Sequence, residues 1–123
     1  MTEQTCILIG APVDSGKERR GCLMGPDAYR VAGLTEALEG LGHKVQDAGN
    51  LRPRPAVTPG ELPNHVHEPA ETIGWTEALA GAAEAAMQEG LPIFLGGDHS
   101  LSLGSVAGVA MDAARRARPQ FVL

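Results

Sequence analysis

The chain has 123 residues, 43% hydrophobic and 20% charged, a balance that suits one globular domain. A formal charge of −5 with 3% aromatic residues excludes the basic footprint and the stacking platforms of nucleic-acid binders. No apolar run approaches the ~20 residues of a membrane-spanning helix, and Met1–Thr5 has no basic stretch ahead of an apolar core. With Cys6 and Cys22 read as reduced thiols, the expected location is cytoplasmic.

Cys6–Ile9 is a short, nearly continuous apolar run that ends at Gly10-Ala11-Pro12, the pattern of a strand buried on both faces. Residues 13–25 form a polar, glycine-rich loop. Pro26 and Asp27 then start a helix, and Val31, Leu34, Leu38 and Leu41 predict one amphipathic face along it. Gly40 and Gly42 stop that helix, and His43–Ala48 reads as a second strand. Gly49–Pro69 holds five of the nine prolines and predicts a long surface loop.

A second helix is expected from Ala70 to Glu89, with Ile73, Thr76, Ala80, Ala83 and Met87 on its apolar face. Pro92–Leu95 makes a third strand. The next helix runs from Leu101 to Ala117, with Leu103, Val106, Ala110, Ala113 and Ala117 along one side. Arg115, Arg116 and Arg118 gather near its negative end, where cations are favoured. Pro119–Leu123 looks like the start of a fourth strand. This alternation predicts a parallel α/β sheet with right-handed crossovers and helices on its faces.

Chemistry concentrates in Gly96-Gly97-Asp98-His99-Ser100. The pentapeptide lies where the third strand turns into a helix, at the carboxyl end of the sheet, where open α/β folds bind their ligands. The two glycines permit a sharp exit, and His99 offers an imidazole to a metal. The competing reading is structural, with Ser100 capping the helix and His99 only packing or hydrogen-bonding. Phosphate binding has little support, because neither phosphate-loop nor dinucleotide glycine spacing is present. His43 reads as a surface residue. His65 and His67 form a His-x-His pair in the proline-rich loop with no fixed third ligand.

The segment Gly96-Gly97-Asp98-His99-Ser100-Leu101, continuing to Gly104-Ser105, resembles the first metal-binding segment of the arginase (ureohydrolase) family. Gly10-Ala11-Pro12-Val13-Asp14, Arg19-Arg20-Gly21, Gly25-Pro26-Asp27-Ala28, Arg30 and Ala32-Gly33-Leu34 are similar to the amino-terminal pattern of that family. Asp47-Ala48-Gly49-Asn50-Leu51 resembles its second strand and exit. The resemblance runs through almost the whole chain, in order.

It implies a three-layer α/β/α fold with a mostly parallel sheet, in which residues 1–123 are the amino-terminal part of a single arginase-like domain, truncated at its carboxyl end. It implies manganese-dependent hydrolysis of L-arginine to L-ornithine and urea by the intact protein, with two Mn2+ ions. His99 matches a ligand of one ion, and Asp98 is placed to support it from behind. The family's other ligands sit in an Asp-Ala-His-x-Asp segment and a later Asp-x-Asp segment, both absent here. The 123-residue chain alone is therefore expected to be inactive. The resemblance also implies a homo-oligomer, trimer or hexamer, for the intact protein. An agmatinase or guanidinobutyrase-type enzyme, or a non-catalytic arginase-like module with an open sheet edge, are the alternatives.

Overall fold

The computed structural model describes residues 2–17, 19–55, 60 and 66–119. Strand β1 (Thr5–Ala11) is flanked by β2 (Lys44–Asn50) on one side and β3 (Leu91–Gly96) on the other, both parallel to it. The central position explains the apolar run: Cys6, Ile7, Leu8 and Ile9 are all buried, on both faces of the sheet. The register pairs Ala11 with Gly96 and Gly10 with Asn50, so the carboxyl ends of all three strands lie level. By contrast β2 is largely exposed along its length.

The helices divide between the two faces. Helix α3 (Pro69–Glu89) packs Trp75, Leu79 and Ala86 on Ile7, Ile9, Ala11 and Val13. Gly10 points the other way, and a side chain there would run into Asn50 and Arg30. Arg30 belongs to α1 (Gly25–Val31), which follows a short 3-10 turn at Arg20–Met24 and precedes α2 (Leu34–Gly40). The layers are thus α/β/α. Helix α4 (Leu101–Arg115) lies against α3 rather than on the sheet.

Three expectations about helices are corrected. The single helix after Pro26 is two short ones, broken at Gly33, whose φ of 89° is left-handed. Its predicted apolar face does not form: Val31 is 89% and Leu41 60% exposed. In α3 the buried residues are Gly74, Trp75, Leu79, Ala83 and Ala86, sharing only Ala83 with the predicted face. That helix is gripped on two sides, by the sheet and by α4, so no single stripe describes it. In α4 the buried face is Gly104, Ser105, Gly108, Asp112 and Ala113, while Leu103 and Val106 are exposed.

Small residues decide the α3–α4 contact. A Cβ on Gly104 would come within 2.6 Å of Leu79 Cβ, and one on Gly108 within 2.5 Å of Ala83 Cβ. The two helices therefore touch backbone to backbone. The arginines of α4 complete the join: Arg115 pairs with Glu84, and Arg116 bonds the fully buried Asp112 at 3.0 Å and the Met87 carbonyl at 2.8 Å. Gly108→Val is expected to force the helices apart and destabilise the chain by about 1–3 kcal/mol in urea unfolding. Gly21→Ala, at a glycine with open space around it, is the control expected to change little.

The loop between β2 and α3 is shorter than its sequence suggests, since β2 continues through Gly49 and Asn50. Leu51 packs on the core, and Arg54 N donates to Gly74 O at 3.1 Å, laying this stretch along α3. The expected fourth strand, Pro119 apart, and His65 lie outside the described residues.

Candidate metal centre

At the carboxyl edge of the sheet, β3 ends in Gly96 and turns into α4 through Gly97, Asp98, His99 and Ser100. Gly97 has φ 78°, and a Cβ there would sit 2.7 Å from Val13 N. Only glycine combines that backbone with that neighbour. Gly25, the first residue of α1, presses on the same corner: a Cβ on it would overlap the Gly96 carbonyl. The corner is therefore wedged between the post-β1 loop and α1.

Asp98 is the buried member, 6% exposed. Its Oδ2 accepts from Gly16 N at 2.8 Å, and its Oδ1 accepts from Ser100 N at 2.9 Å and from Ser100 Oγ. Asp98 N in turn donates to Val13 O at 2.8 Å. The carboxylate thus joins two loops that lie 82 residues apart in sequence. On the same loop, Ser15 Oγ and Thr72 Oγ1 share a hydrogen bond of 2.8 Å, tying it to α3. The Ser100 side chain bonds Asp98 and does not cap α4, which corrects the capping reading.

His99 is exposed. Its Nδ1 lies 3.2 Å from Ser102 Oγ, and Ser102 Oγ donates to the His99 carbonyl at 2.8 Å. Asp98 and His99 share the corner, yet Asp98 makes its bonds to Gly16 and Ser100, so it shapes the backbone that carries the imidazole. An open groove of about 590 Å³ runs past His99, with Tyr29, Leu34, Ile93 and Leu101 among its walls. Among the described residues no cluster of three or more His, Cys, Asp or Glu side chains could hold a metal ion. One imidazole does not fit a two-ion centre by itself. His43 accepts at Nδ1 from Gln4 N at 3.3 Å, far from the corner in sequence, and His67 is exposed ahead of α3.

A polar hub that sequence reading missed joins α1 to β2. Arg30 holds Asp47 with both arms of its guanidinium, Nε at 2.8 Å and Nη2 at 2.9 Å, and Nη1 reaches Asp27 at 3.0 Å and Asn50 at 2.6 Å. The Arg30 hydrogen bond holds the Asp47 carboxyl below its ordinary value of 3.8, against a smaller desolvation effect. A depressed carboxyl stabilises the fold above its unfolded value and loses that contribution as pH falls through its folded value. The stability difference between the natural chain and Asp47→Asn is thus expected to be full near neutral pH. It should shrink as urea unfolding is repeated below pH 3.8. The signal available in sequence was the i, i+3 spacing of Asp27 and Arg30; the partner on β2 had none.

The fold and the corner together define a parallel α/β protein with its candidate chemistry at the carboxyl edge of the sheet. A sequence model described as the Arginase family matches residues 4–122. The chain is 48% identical over 119 residues to the arginase of Brucella melitensis, across 96% of this chain and 39% of that protein. It is 46% identical over 121 residues to the arginase of Agrobacterium fabrum, across 98% of this chain and 37% of that one. The crystal structure of Bacillus subtilis arginase superposes with a TM-score of 0.74 at 34% identity, over 87% of this chain and 36% of that chain. The chain belongs to the arginase family. It spans about two-fifths of the length of these relatives, 39% in the first case.

Proposed function

We propose that this chain is the amino-terminal part of an arginase that hydrolyses L-arginine to L-ornithine and urea. The observation that carries the reading is His99, exposed on a corner fixed by buried Asp98, in a chain matched to the family from residue 4 to 122. In the reaction the oxygen of water bonds to the guanidinium carbon, the bond from that carbon to the side-chain nitrogen breaks, and the nitrogen leaves protonated. Bound manganese would supply the activated water in the intact protein. His99 would hold one of two such ions, and Asp98 holds the backbone that presents it. Among the described residues no cluster of three or more His, Cys, Asp or Glu side chains could hold a metal, so the 123-residue chain alone is expected to release no urea. We place the intact protein in the cytoplasm as a homo-oligomer, trimer or hexamer; among the described residues no helix is long and apolar enough to cross a membrane.

The test replaces the matching 39% of Brucella melitensis arginase with this chain and assays urea release from arginine and from agmatine, with manganese present. Turnover of arginine over agmatine is the expected result. A folded chimera that prefers agmatine, or that turns over neither, overturns the proposal.

A further inference from the structure

We infer that Arg30 is a positioning residue for the His99 corner, acting through helix α1. The inference rests on the reading of His99 as a metal ligand. Arg30 stands near the carboxyl end of α1, and its two bonds to Asp47 and one to Asn50 fasten that end to β2, while a fourth stays within α1 at Asp27. Gly25, at the other end of α1, abuts the carbonyl of Gly96 where the corner begins. Helix α1 therefore reaches from the end of β2 to the end of β3. Across this distance α1 has little apolar anchorage, since Pro26 is its one buried residue and Val31 is 89% exposed. Polar bonds take over the work that an apolar stripe does in longer helices.

The geometry of the guanidinium matters as well as its charge. Two parallel bonds to Asp47 fix the direction of the side chain, and the remaining nitrogen reaches Asn50, whose backbone pairs with Gly10 in the sheet. Lysine offers a point charge without that fork. A corner held through the fork should loosen when either the charge or the fork is lost. A corner held by charge alone should loosen only when the charge is lost, and lysine should restore it.

The experiment is amide hydrogen exchange on the 123-residue chain, comparing it with Arg30→Ala and Arg30→Lys. The reporters are Asp98 N, bonded to Val13 O, and Ser100 N, bonded to the Asp98 side chain. Both are expected to exchange about tenfold faster in Arg30→Ala, with the amides of α3 unchanged. Arg30→Lys is expected to resemble Arg30→Ala at these two amides. Should Arg30→Ala lose the fold, Asn50→Ala removes only the bond to Nη1 and is expected to show the same pattern with a smaller change. Faster exchange confined to α1 and β2, or full restoration by lysine, overturns the inference. Because exchange needs no metal, an inactive chimera would overturn the arginase reading and leave this result standing.

Discussion

His99→Ala in the chimera with Brucella melitensis arginase is expected to lower kcat for urea release by more than about 100-fold, while the fold and its melting midpoint stay close to unchanged. Loss of a residue that supports a ligand from behind costs about 10–100-fold in metal affinity or activity, so loss of a ligand should exceed that range. The fold should survive because the side chain is exposed and its ring contacts Ser102 Oγ at 3.2 Å, a surface hydrogen bond. Surface substitutions of this kind stay within about 0.5 kcal/mol. Bound manganese, counted after dialysis, is the second readout and should fall with activity. A variant that keeps both its metal and its turnover would remove His99 from the site.

Asp98→Ala is expected to act in the opposite order, on stability first. The substitution leaves Gly16 N and the Ser100 amide without their acceptor in a part-buried setting. Hydrogen bonds to charged groups contribute roughly 1.5–3 kcal/mol each, and the two are not independent, so a loss of about 3 kcal/mol is expected for the 123-residue chain. For a domain near this size that corresponds to a fall of roughly 10–20 °C in melting midpoint. Asp98→Asn keeps one oxygen acceptor but turns an NH2 group toward the other donor, so it should recover only part of the loss. Calorimetry of the three chains decides the matter. A midpoint for Asp98→Ala equal to that of the natural chain would show that the 13–17 loop is held by other contacts.

The two neighbouring residues stand out differently in the sequence, and their roles as ligand and support are the proposal that these experiments test. His99 was singled out by its place at a strand end in Gly96-Gly97-Asp98-His99, and above all because the surrounding hexapeptide resembles a family pattern. Asp98 was singled out beside it, but its hydrogen-bond partner in the first loop was not. Nothing local announces that its carboxylate meets Gly16, 82 residues away. The Arg30 hub failed to appear for the same reason: Asp27 is one turn away, but Asp47 and Asn50 arrive only when β2 pairs with β1.

By itself the sequence determined the alternation of strands and helices, the burial of Cys6–Ile9 on both faces, and the place of the Gly96–Ser100 corner at a strand end. These depend on hydrophobic period and on turn residues, which act over a few positions. The tertiary structure decided which faces of the helices are inside. Periodicity favoured Leu103 and Val106 in α4, and close packing chose Gly104 and Gly108, because backbone contact with α3 excludes larger side chains. It also decided that the helix after Pro26 breaks at Gly33, since α1 must lie across the strand ends while α2 leads back to β2. Short-range chemistry fixes what a segment can be, and contacts between distant segments fix which side of it is used.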